Sequence, residues 1–215
     1  MRKVPDRIAV KLMDAAELLA TQGLDDTKTE DIATATGVPK ATLYYYFSGK
    51  EEVLAFLFER VLDEVELAVT RAAAGPGTSA ERLRDVVRAH LQVFADHPWP
   101  SRALQLDLGR AARLPDIARR SRESFLEPVA RLLAEGAADG SLRAVEHPHL
   151  TALALLGAIT TSGVNAVNTT NRPSVDTVAN VVSSLVLDGL TTGPTAAAAP
   201  KPAPSKPTPS KKGRR

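Results

Sequence analysis

Apolar residues recur at three- and four-residue intervals from Ile8 to Leu190, and no segment alternates apolar and polar residues long enough to suggest a strand. That periodicity predicts an all-α chain of about nine helices. Ile8, Leu12, Ala15, Ala16 and Leu19 share one face and stop at Gly23. Short helices are predicted over Thr29–Thr36 and Lys40–Phe47. A long one spans Glu51 to about Ala74 and ends in Gly75-Pro76-Gly77. Leu83, Val86, Val87, His90, Leu91 and Phe94 mark the next, which stops near His97–Pro100. Ser101–Arg113 and a stretch from Pro115 to about Ala138 follow, the latter with Pro128 inside it as an expected kink. His149–Thr170 and Ser174–Leu190 close the pattern.

The chain has no cysteine, so disulfides, thiolate metal sites and a cysteine nucleophile are excluded. Its pI is about 9.0 although the net charge is only +2. The basicity is concentrated. Lys201, Lys206, Lys211, Lys212, Arg214 and Arg215 lie in a stretch, 194–215, with no acidic residue and six of the fifteen prolines. Without it, 21 basic residues face 25 acidic ones, so residues 1–193 carry a net charge of −4. The stretch lacks large apolar anchors and is expected to be disordered. Charges from Asp6 to Glu17 interrupt any export-signal core. Leu150–Asn171 is uncharged for 22 residues, but nine of them are Thr, Ser or Asn. A packed bundle helix is expected there rather than a membrane span.

The segment from Thr27 to Phe47 has the layout of a helix-turn-helix: two short helices around a Gly-containing turn. Thr27 and Glu30 fit a capping box at the start of the first. Ile32 and Ala33 face inward, and Gly37 suits a left-handed turn. Val38 and Leu43 plug the space between the helices. The second helix then projects steeply, as a helix entering the major groove must. It carries Tyr44, Tyr45 and Tyr46 in succession, about 100° apart, so the three cannot all be core. A tyrosine can touch a thymine methyl, a base edge or a phosphate; the alternative is three ordinary half-buried helix residues.

With these residues in view, the chain resembles the TetR family of bacterial transcriptional regulators. The resemblance covers about Ile8 to Leu54. It is carried by Ala15, Leu18 and Leu19, Gly23, Asp31-Ile32-Ala33, Gly37-Val38, Thr42–Phe47 and Lys50–Leu54. Pro39 stands where serine is frequent in the family, and Ala41 where glycine is.

The resemblance implies a ligand-responsive repressor: cytoplasmic, homodimeric, with no enzymatic activity, cofactor or metal. It implies a DNA-binding domain over 1–50 and a helical ligand-binding and dimerisation domain over 51–193, which the composition follows with a Pro/Ala/Lys-rich tail over 194–215. Thr27 and Lys28 are implied as phosphate or edge contacts. Lys40, Ala41, Thr42, Tyr44 and Tyr45 form the implied groove-facing set, and Tyr46 and Lys50 further phosphate contacts. Arg2, Lys3 and Arg7 either add such contacts or form a solvated arm. Residues 1–50 hold seven basic and seven acidic residues, so binding must rest on local placement, with Asp25, Asp26, Glu30 and Asp31 expected to point away from phosphates.

In the family the last two helices commonly pair with their twofold mates. Gly157, Ala158, Thr161, Val164, Val178, Val182 and Leu185 are the residues expected at that interface. Phe94, His97, Trp99, Arg102, Gln105, Asp107, Arg122 and Phe125 are the candidates for an inducer pocket, against the plainer alternative of core aromatics and surface charges. The expected partners are a palindromic DNA operator, a second copy of the chain and a small-molecule inducer, with no membrane. Two other readings compete. A helical enzyme is disfavoured because the sequence has no Gly-x-Ser-x-Gly, no phosphate-binding Gly-rich loop and no His-Glu-x-x-His, and His147 and His149 near Glu146, two apart, do not share a helix face as a metal pair would. A non-specific architectural DNA-binding protein would explain the basic tail but leave the patterned tyrosine helix unexplained.

Overall fold

Met13 and Asp14 break the first predicted helix in two, because their amides bond three residues back instead of four. In a computed structural model, which describes residues 3–106 and 119–188, α1 spans Asp6–Leu12 and α2 spans Ala15–Gln22. Next come α3 (Thr29–Thr36), α4 (Lys40–Tyr46), α5 (Lys50–Ala73), α6 (Ser79–Asp96) and α7 (Pro98–Leu106). A π-helical turn (Arg122–Leu126) leads into α8 (Glu127–Asp139), and α9 (Pro148–Asn168) and α10 (Val175–Leu187) complete the described chain. With α1 and α2 taken as one interrupted helix this makes nine α-helices among the described residues, and no strand is present among them.

Two expectations shift. The helix expected from Ser101 begins at Pro98, since Pro98 and Pro100 occupy a first turn whose amides need no helical partner. Pro128 sits in the first turn of α8, directly after the π-turn, so its missing N–H falls where the helical register changes. The expected helix start at Pro115 and the tail both lie outside the described residues.

The buried side chains form two cores. Leu12, Leu19, Leu24, Ile32, Val38, Leu43 and Phe47 fill the first together with Phe56, Phe58 and Leu62 from α5. Ala103 of α7 is buried in the same core, and Trp99 packs against it. Val61, Val65 and Val69 of α5 belong instead to the second, with Leu83, Val87 and Phe94 of α6, Phe125, Leu132 and Leu133 around α8, and Ile159 and Val182 of the last helices. The 24-residue α5, about 36 Å long at 1.5 Å per residue, is thus shared by both. The first core extends well past residue 50.

α6 starts at Thr78, whose Oγ1 accepts from Glu81 N at 3.3 Å while Glu81 Oε2 accepts from Thr78 N at 2.8 Å. The Asp139 carboxylate, at the end of α8, accepts from Ser79 N and Ser79 Oγ and so ties that end to the start of α6. α9 is long and apolar enough to cross a membrane by length and composition. Here it packs through Ala152, Leu155, Ile159 and Val164 into the second core.

Candidate nucleic-acid interface

The turn between α3 and α4 is built by three residues. Gly37 takes φ +60°, the left-handed region that a side chain would strain. Thr36 Oγ1 donates to Ile32 O at 2.7 Å and accepts from Val38 N at 3.2 Å, so a buried hydroxyl satisfies the turn. Pro39, where a serine would cap with its side chain, caps with its carbonyl alone: Thr42 N and Leu43 N donate to it at 2.8 and 3.0 Å.

α4 buries Leu43, and Phe47 just after it is also buried. Lys40, Ala41, Tyr44 and Tyr45 are exposed. Tyr44 and Tyr45 are 52% and 58% accessible, whereas Tyr46 is half-buried against the first core and meets the edge of Tyr45 at 4.9 Å. The three tyrosines therefore divide two outward and one inward. Thr42 is half-buried and turns toward α1. With Arg7, Ile8, Lys11, Gly37, Val38 and Pro39 it lines a surface groove of about 260 Å³. Lys11 was not among the expected contacts. Its i,i+4 spacing from Arg7 on one helix face was the available signal.

Several expected phosphate contacts are placed otherwise. Thr27 is fully buried, and its hydroxyl donates to Gly23 O at 2.7 Å, so it cannot touch DNA. The cap of α3 falls one residue later: Lys28 N donates to the Asp31 carboxylate at 2.8 Å. That carboxylate occupies the helix N-terminus where a phosphate would bind. Lys50 Nζ donates to Asp25 O and Thr27 O, both at 3.0 Å, and so fastens α5 to the loop before α3. Glu52 accepts from Ser48 N at 2.9 Å, which holds its carboxyl below the usual range and fills the N-terminus of α5. Glu30, expected to point away from phosphates, is engaged inside the helix-turn-helix. It pairs with Lys40, whose Nζ lies 5.7 Å from the centroid of Tyr44.

Among the described residues, the expected pocket residues serve several different environments. Phe94 and Phe125 are core, with centroids 4.9 and 5.0 Å from the fully buried His90. His97 Nε2 pairs with Glu64 Oε2 of α5 at 2.6 Å. Trp99 serves the first core, Arg102 reaches Asn168 Oδ1 at 3.4 Å, and Arg122 is exposed. The side chain of Gln105 and all of Asp107 lie outside the described residues. A small cavity of about 70 Å³ lies elsewhere, between Leu91 and Ala95 of α6 and Gly163, Val175 and Val178 of the last helices. Of the expected interface set, Val164 and Val182 are buried in their own chain's core. Ala158 and Val178 are half-buried against that core; Gly157, Thr161 and Leu185 are exposed. Leu150, Leu153 and Val181, outside the expected set, are exposed too.

Family models match both halves. The model for bacterial regulatory proteins of the tetR family covers residues 12–56, and that for the tetracyclin repressor-like C-terminal domain covers residues 76–164. The HTH-type transcriptional regulator EthR of Mycobacterium tuberculosis is 32% identical over 114 residues, which are 52% of this chain and 50% of EthR, so the chain spans about half the length of that relative. The structure of SCO3833, a TetR-family member from Streptomyces coelicolor A3, is 30% identical and covers 84% of this chain and 90% of its own, with a TM-score of 0.64. AibR in complex with isovaleryl coenzyme A and operator DNA has a TM-score of 0.68 at 22% identity, covering 84% of this chain and 97% of its own, a likeness of fold. With the turn at Gly37, the divided tyrosines and both family models in agreement, the chain belongs to the TetR family of bacterial regulatory proteins.

Proposed function

We propose that the chain is a homodimeric transcriptional repressor that leaves its operator when a small molecule binds the C-terminal half. The observation that carries this reading is the two-faced α4. Leu43 and Phe47 lock one side into the core, and Lys40, Ala41, Tyr44 and Tyr45 stand outward as a short row of donors and ring edges. Lys28, Thr42, Tyr46, Arg7 and Lys11 flank that row. Lys50 acts from behind, by holding the loop that precedes α3.

Dimerisation supplies two such helices to a palindromic site. Leu150, Leu153, Gly157 and Thr161 of α9 and Val181 and Leu185 of α10 form exposed stripes that a second copy would cover. A ligand would act by linkage, binding the conformer whose two α4 helices are badly spaced. Two routes support such coupling. α5 belongs to both cores, and α7 places Ala103 and Trp99 in the first core while the adjacent His97 grips Glu64 of α5. His97 and Trp99, two of the expected ligand contacts, stand at this junction.

The test is selection of duplexes from a random pool on the full chain. A regulator enriches a pseudo-palindrome, and Tyr44→Ala and Tyr45→Ala weaken binding to it more than to random DNA. A pool left without enrichment overturns the reading in favour of an architectural DNA-binding protein.

A further inference from the structure

α4 has a single charged side chain, Lys40, and that charge is already engaged. Its ammonium pairs with the carboxylate of Glu30 in the first turn of α3, so the pair bridges the two helices of the helix-turn-helix. Both side chains are about half exposed, at 48% and 56%, and the lysine stands beside the ring of the exposed Tyr44. The hydrogen bond from Lys40 holds the Glu30 carboxyl below its usual range and raises the lysine. An exposed pair of this kind adds little to folding stability. Its consequence lies in what it presents to a polyanion.

Phosphate oxygens only accept. A phosphate that takes Lys40 leaves Glu30 unpaired beside a like charge. Base edges differ, because the amino groups of cytosine and adenine donate and can satisfy a carboxylate. The DNA backbone therefore has no answer to Glu30, whereas some base sequences do. The rest of the interface does not override this, since residues 1–50 carry no net charge and Lys50 is fastened to two carbonyls.

We propose that Glu30 is a specificity-determining residue: it holds Lys40 off the phosphate backbone and so suppresses binding to random DNA relative to the operator. The inference rests on the DNA-binding reading above.

The experiment titrates the full chain against a random-sequence duplex over a range of salt. It compares wild type, Glu30→Gln, Lys40→Ala and the double variant. Glutamine keeps the shape and removes the charge at an exposed position. Glu30→Gln should bind the random duplex roughly tenfold tighter at low salt and steepen the slope of log K against log salt by about 0.9, one added phosphate contact. Lys40→Ala should erase that gain in the double variant, because the gain travels through the lysine. Unchanged affinity of Glu30→Gln for random DNA overturns the proposal, and so does a gain that survives in the double variant. Failure of the regulatory reading is separate: it shows as no duplex enriched by the wild-type chain, while the random-duplex comparison still decides whether Glu30 holds Lys40 off phosphate.

Discussion

A Cβ on Gly163 would stand 2.5 Å from Cδ2 of Phe94 and 3.0 Å from Cδ2 of Leu91. α9 passes α6 at a distance that only glycine permits, and the Phe94 ring is itself buried on all sides. Gly163→Ala should gain about 1 kcal/mol of helix propensity and lose about 1–3 kcal/mol to overpacking. A net loss is expected, read as a lower urea midpoint at unchanged slope. A midpoint equal to the parent's would show that the ring gives way freely.

His90 lies between Phe94 and Phe125 with its Nδ1 unpartnered, and burial pushes its pKa down to about 4. In the unfolded chain the ring titrates near 6.5. Between those values the unfolded state holds a proton that the folded state refuses. Stability is therefore whole above about pH 6.5 and is lost as the pH falls toward 4, by about 3 kcal/mol in all. His90→Leu should remove that part of the acid dependence. The check is unfolding free energy measured from neutral pH down to about pH 5, and a slope identical in both proteins would sink the assignment.

The turn was legible because its chemistry is local. Gly37 needs a left-handed backbone, and Leu43 and Phe47 repeat at helix spacing, so both sides of α4 could be read from a few residues. Thr27 misled for an equally local reason. Threonine three residues before Glu30 imitates a cap, but Lys28 and Asp31 offer the same spacing one residue later, and the Thr27 hydroxyl is better satisfied by Gly23 O in the interior. Val164 and Val182 stand on helices that also expose apolar residues, Leu153, Val181 and Leu185, and periodicity does not say which apolar side meets the chain's own core. The burial of Ala103 and the packing of Trp99 in the first core depend on the path of the chain between the halves, which no residue pattern encodes.

The exposed stripes of the last helices make a prediction about assembly. Leu185 is 78% accessible and Leu153 is 51% accessible, yet both sit on helices whose other sides are core. Leu185→Glu should leave the unfolding free energy of the monomer nearly unchanged, since the side chain packs on little in its own chain. It should abolish the dimer measured by sedimentation equilibrium. Dimers of undiminished affinity in both Leu185→Glu and Leu153→Glu would place the interface elsewhere.

The tail from 194 to 215 lies outside the described residues, but its six cations and absent acids are fixed by the sequence. The helix-turn-helix half is neutral, and its Lys40 and Lys50 are engaged within the protein. On the proposed function, sequence-independent attraction to phosphate is expected to come largely from the tail and base reading from α4. Truncation after Gly193 should flatten the salt dependence by about 0.9 log unit for each phosphate that the tail no longer neutralises. Preference for the selected duplex over random DNA should persist, because both affinities fall together. If the salt slope survives truncation intact, the cations that meet phosphate reside in the folded part, and Arg7, Lys11 and Lys28 become the ones to remove next.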